Sequence, residues 1–326
     1  MNKYVKKGLC LVLATGLIAS SFAGCAKVNY VTEGAIKAIH QIKDGSWKNQ
    51  TEGKEAGSSE DTSVLEKSFE AGKYGGVEFK SLEDVANYYK EAYDYTKTLT
   101  AEYINAEGKT ETFYKLLGDE NIDVGKVMID GKENAVINKL VPGIVGGLFK
   151  PNIYGLVPCN NRNPKLDNYN CDEKDPGKKD FRKSYVKGED VLDANITDNG
   201  DGTITMVIQP KAAEMSMRGE DSQGDFFEVL GDISATVAQI DVISFAQGTA
   251  EDNIKVTYKG GTVTCTINTK TKEITKAEYD MVAEVAVNHA NVAVIKDKSA
   301  SLLIKYKNTF PASDKYLKDK KGVVRK

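Results

Sequence analysis

The sequence predicts an α+β fold: a curved antiparallel meander sheet packed on one face by helices, half-barrel-like in outline. Three observations predict it. Ala277, Tyr279, Met281, Ala283, Val285 and Val287 alternate with Glu278, Asp280, Glu284 and Asn288, a period of two sustained over eleven residues. Asp198-Asn199-Gly200-Asp201-Gly202 and Gly260-Gly261 each join two alternating runs, as hairpin turns do. Two amphipathic stretches, at 82–96 and 222–240, supply stripes that need a sheet to cover. One greasy and one wet face means a sheet covered by helices on one side only.

The chain opens with Lys3, Lys6 and Lys7, an apolar run from Leu9 to Ile18, and small residues leading to Phe22-Ala23-Gly24-Cys25. This is the tripartite layout of an export signal. The cysteine after the cut resembles the lipobox of bacterial lipoproteins. That resemblance implies a diacylglyceryl group on Cys25, palmitate-type acylation and a mature chain beginning there. Two other readings stand beside it: a plain secretory signal with Cys25 incidental, and a membrane span. A span needs about 20 apolar residues, and Gly8, Thr15 and Gly16 interrupt this run. Two or more acyl chains make an anchor stable, so the lipobox reading places the protein on the extracytoplasmic face of the bacterial cell membrane.

The expected organisation follows from composition. Residues 1–24 are the signal peptide and 25–43 the anchor with a short helix, capped by Thr32 and carrying Ala35, Ile36, Ile39 and Ile42. Residues 44–76, polar over most of their length after Trp47, read as a flexible linker. Residues 77–313 form a single α+β domain, and the lysine-rich 314–326 reads as a solvated basic tail. Without the signal, 302 residues carry 41 basic and 47 acidic side chains, mildly acidic and evenly mixed. No basic patch of the kind that follows a phosphate backbone is present, which argues against nucleic acid.

Within the domain, Ser81 and Asp84 form a capping box ahead of a helix with Val85, Tyr89, Ala92, Tyr93 and Thr96 on one face. A strand over 99–106 turns at Glu107-Gly108-Lys109 into a second through Phe113 and Leu117, and Val127-Met128-Ile129 is a further apolar run. The Gly-rich segment from Ile137 to Leu156 reads as a loop closing over the core. Val191–Ile196 and Thr203–Ile208 flank the first hairpin turn. Ser222 and Asp225 cap a helix carrying Phe226, Val229, Leu230, Ile233, Val237 and Ile240. Strands at 254–258, 263–267, 277–287, 292–294 and 302–306 complete the meander, with turns at 269–272 and Asp297.

This arrangement is similar to that of the half-barrel lipoproteins of the lipoprotein-carrier (LolA-like) type, and the resemblance implies an apolar cavity between sheet and helices. Gly200-Asp201-Gly202-Thr203-Ile204, Tyr258-Lys259-Gly260-Gly261-Thr262 and Phe310-Pro311-Ala312-Ser313 also look like segments of uncharacterised lipoproteins from Gram-positive anaerobes. That kinship brings no activity with it.

Catalytic chemistry is thinly supplied. The two histidines, His40 and His289, lie on the juxtamembrane helix and after the long strand, the latter as a turn residue. There is no Gly-x-Ser-x-Gly elbow, no His-Glu-x-x-His, no repeated Cys-x-x-Cys and no phosphate loop. An EF-hand alignment of 197–203 fails at its first ligand, Thr197, which should be Asp. No catalytic residue, metal or cofactor is predicted. Cys159 and Cys171 sit in a Pro- and Asn-rich loop and read as a disulfide worth about 2–3 kcal/mol in loop entropy, or as half of a metal site. Cys265 reads as a small buried hydrophobe. Tyr88, Tyr89 and Tyr93 are the candidate ligand-binding rings, at the mouth of a cavity or as a sugar platform, or else they cover the sheet edge.

The expected function is a non-catalytic, lipid-anchored binding or envelope-maintenance protein holding a lipid or other apolar ligand. The alternative is a structural or adhesive surface lipoprotein that binds wall glycan or a protein partner. A solute receptor is a third class, but it needs two α/β lobes, and the C-terminal meander argues against them.

Overall fold

The computed structural model describes residues 61–133, 138, 184–231, 233–238, 243–292 and 295–326. The signal, Cys25, His40, Trp47, Cys159 and Cys171, and the 137–156 segment apart from Asn138, lie outside them.

The chain enters through a small hairpin, β1 (Gly72–Tyr74) and β2 (Val77–Phe79), then helix α1 (Leu82–Thr96). The helix starts where the sequence says: Ser81 accepts from the Asp84 N–H, and the Asp84 side chain accepts from the Ser81 N–H. Strands β3 (Thr100–Asn105), β4 (Thr110–Tyr114), β5 (Asp119–Val124), β6 (Met128–Ile129) and β7 (Lys132–Glu133) follow. A 3-10 turn at Gly188–Asp190 leads into β8 (Val191–Asp198), β9 (Thr203–Pro210) and β10 (Ala213–Glu214). Helices α2 (Ser222–Phe226) and α3 (Ile233–Val237), strand β11 (Ile243–Phe245) and helix α4 (Ala250–Asn253) precede β12 (Ile254–Tyr258) and β13 (Thr262–Asn268). The long pair β14 (Ile274–Val292) and β15 (Ile295–Phe310) comes next, and β16 (Val323–Arg325) ends the chain.

Antiparallel sheet dominates the fold, in curved, unclosed sheets. The main sheet is built outward from β14. One edge of β14 pairs with β15 along almost its whole length, and the other is shared in turn by β13, β12 and β11. Beyond β13 lie β9 and β8, and beyond β15 lie β5 and β6. A separate small sheet has the order β16-β3-β4.

The alternation read from the sequence decides which face is buried. Ala277, Tyr279, Met281, Ala283 and Val285 are buried, together with Ile204, Met206 and Ile208 of β9, Val263, Cys265 and Ile267 of β13, and Ile304 of β15. Val85, Tyr89, Ala92 and Tyr93 of α1 close over this face. Tyr89 donates to the Tyr279 hydroxyl at 3.1 Å, and Thr96 Oγ1 accepts from the Ile274 N–H at 2.8 Å, so these polar atoms carried into the core are paired.

Four expectations change. Residues 61–76 are not all linker: the Val64 N–H donates to Gln209 Oε1 (2.6 Å), the Phe69 N–H to Asp193 Oδ1 (3.0 Å), and 72–74 form β1. Polar side chains of the sheet hold this segment, and hydrophobic periodicity does not see such contacts. The basic tail is folded, because Tyr316, Leu317 and Val323 bury themselves against Tyr103 and Leu117 while Lys315, Lys318 and Lys320 stay exposed. The single helix over 222–240 is two short ones. Residues 226–230 are buried without a break, which one helical face cannot achieve, and Gly231 has φ +65°. The predicted turn at Asp297 is instead a bulge in a longer hairpin, where His289 (φ +50°) and Asp297 (φ +48°) join through Nδ1 and Oδ1 at 2.8 Å.

Candidate functional site

The second face of the sheet is polar. Across it one cross-strand row runs Asn195, Val207, Thr264 and Glu278, and the next runs Thr262, Asp280 and Lys307. Directly opposed residues of antiparallel strands share a face, so β14 alternation places Glu278 and Asp280 behind the buried Tyr279. Residues 64–67 pass beside these rows and complete a trough of about 730 Å³. Its lining includes Val64, Leu65, Asn195, Thr262, Glu278, Asp280 and Lys307.

Three charges mark its floor. Lys307 Nζ is hydrogen-bonded to Glu278 and lies 3.7 Å from Asp280 Oδ2. Partial burial raises the Asp280 carboxyl to about 7, and the hydrogen bond and charge of Glu278 push the same way. Glu278 is shifted in the opposite direction. Burial works against its ionisation, but hydrogen bonds to Asp280 and Lys307 hold it below its ordinary range. The two carboxyls therefore share one proton on the acid side of neutrality. Above it the triad carries two negative charges against one positive. Lys307 remains cationic, since its carboxylate partners outweigh its own partial burial.

The tyrosines picked out as ligand-binding are placed elsewhere. Tyr89 and Tyr93 are buried, with ring centroids 6.0 Å apart, and Tyr89 lies 5.4 Å from Phe226. Tyr88 packs edge-on against Phe79 at 5.3 Å. Their faces are taken by protein, so they are core residues and not the rim of a binding site. Nor does the helix–sheet interface hold a cavity at these positions. Val85, Tyr89, Ala92, Phe226, Met281 and Ala283 each expose 0% of their surface, whereas a void able to admit water would show as accessible area on them.

Cys265 is free and buried, and burial lifts its thiol to about 12, which leaves it inert at neutral pH. No group of three or more His, Cys, Asp and Glu among the described residues is placed to hold a metal ion. No described helix is long and apolar enough to cross a membrane. The triad was half visible in the sequence, as two acids two apart on the wet face of the clearest strand. Its lysine arrives from a partner strand, and only the register brings it there.

No protein-family model, curated protein or solved structure matches this chain.

Proposed function

We propose that this is a non-catalytic, lipid-anchored extracytoplasmic binding protein whose ligand is a small polar molecule carrying an ammonium group, held in the trough of the open sheet face. The observation that carries the reading is the Glu278–Lys307–Asp280 triad on the trough floor. Glu278 is engaged by Lys307, while Asp280 stands 3.7 Å off and retains acceptor capacity. An incoming ammonium bridging Asp280 to the trough wall gains a charge-assisted hydrogen bond. Asn195 and Thr262 supply neutral donors and acceptors beside it. Short peptides with a lysine side chain are the simplest members of this class. The anchor belongs to the same reading, supported by the lipobox-like Phe22-Ala23-Gly24-Cys25. The half-barrel, LolA-like layout belongs to it as a description of the sheet's curvature, with the ligand moved from the filled interior to the outer face.

Titration calorimetry of residues 26–326 with a lysine-bearing tetrapeptide and its Nε-acetylated twin tests the ligand class. Binding of the free amine is expected to tighten about fivefold from ~pH 6 to ~pH 8, as Asp280 ionises, and to lose that gain in Asp280→Asn. Equal binding of both peptides, or none at millimolar concentration, overturns the assignment.

A further inference from the structure

A second acid pair lies far from the trough in sequence and is more deeply buried. Asp190, at the end of the 3-10 turn before β8, and Asp225, in α2, are 8% and 3% exposed, and their carboxyl groups face each other where the turn packs on the helix. Two ionised carboxylates buried side by side repel, so the pair favours holding one proton. The other contacts agree. Asp190 Oδ2 accepts from the Lys187 N–H at 2.8 Å, and Asp225 Oδ1 is buried with no donor reaching it. The charge of Lys187 favours ionisation of both carboxyls, but burial and their mutual repulsion outweigh it. Lys187 Nζ is turned outward to Glu189 at 2.9 Å. Asp221 faces the pair as a further acid, its oxygens spent on the Gln223, Gly224 and Met217 N–H groups and the Ser216 hydroxyl. From α1, Glu83 accepts from the Gly188 N–H and Lys90 donates to the Val186 carbonyl; from the end of β9, the Lys211 N–H donates to the Asp190 carbonyl.

The chain before β8 is itself seated closely on α1, where a Cβ at Gly188 would come within 2.7 Å of Glu83 Cα, and the same turn packs on α2. The chain entering β8 is thus pressed onto α1 on one side and joined to α2 on the other, with a shared proton at the joint.

The geometry points to a proton-held clasp: the Asp190–Asp225 pair fastens the 184–190 segment to α2 while one proton is shared, and releases it when both carboxyls ionise. The direction of the response follows from burial. Desolvation first, and then the charge and hydrogen bond of Asp190, raise Asp225 to about 7. A carboxyl raised above its unfolded value lends stability that is complete below the ordinary carboxylate range and drains away as pH rises through about 7. The fastening is therefore firm in mildly acidic surroundings and loosens in alkaline ones.

Asp280 titrates in the same range, so the test is run on an Asp280→Asn background. In that parent, Tm is expected to fall by roughly 3–5 °C between about pH 6 and pH 8.5. Amides of 187–190 and 222–227 are expected to exchange faster at the higher pH than intrinsic rates explain. Adding Asp225→Asn, whose amide donates to Asp190 with no proton to lose, should hold Tm within about 1 °C over that range and keep the same amides slow. Asp190→Asn serves identically should Asp225→Asn fail to fold. An equally steep fall in the double variant, or unchanged exchange in the parent, overturns the clasp.

Discussion

The two faces of β14 are made from alternate residues of one strand, and they have opposite chemistry. Tyr279 and Met281 point into a core closed by α1, where nothing is accessible and the tyrosine hydroxyls satisfy each other. Glu278 and Asp280 point the other way, into an open trough where a lysine from β15 only partly neutralises them. The first face is held by area removed from water, ~25 cal/mol per Å². The second is held by little and is correspondingly free to engage something else. Stability and recognition are separated by a side-chain period of two, so substitutions one residue apart should have effects of different size and kind.

Tyr279→Ala sharpens this contrast most. It leaves a cavity beneath α1 and strands the Tyr89 hydroxyl, and is expected to cost about 3–5 kcal/mol in urea unfolding. Tyr279→Phe removes only the hydroxyl pair and should cost about 1 kcal/mol. Lys307→Met, on the open face, should change stability by less than about 0.5 kcal/mol, because its partners are more than a third or a fifth exposed and solvent screens them. It should nevertheless alter peptide binding several-fold by changing the charge of the trough. A stability cost for Lys307→Met approaching that of Tyr279→Ala would break the division between the faces.

The sequence carried the covered face well and the open face poorly, for a physical reason. Burial on one side writes a period of two or 3.6 into the chain, and that pattern located α1, the β8–β9 hairpin and the buried positions of β13 and β14. The capping box at Ser81 and Asp84 is equally local, and it is present. What the pattern could not convey is pairing between distant segments. Residues 61–69 dock by backbone N–H groups on Gln209 and Asp193. Lys307 reaches Asp280 only through the β14–β15 register. Asp190 and Asp225, 35 positions apart, meet because the turn before β8 packs on α2. The stripe over 222–240 misled because a run of buried residues can sit on a helix face or in an irregular buried segment, and Leu230 donates its N–H to Tyr258, outside any helix. The tyrosines misled similarly: an amphipathic ring suits a cavity mouth and a core equally, and the neighbours decide.

The most direct test of the division between a filled interior and a binding surface is to purify residues 26–326, extract the folded protein with organic solvent, and run mass spectrometry for bound amphiphiles. The account predicts a clean extract from protein that remains well folded, because the described helix–sheet interface has no room for a guest. A stoichiometric lipid in the extract would contradict it and return the binding site to the interior.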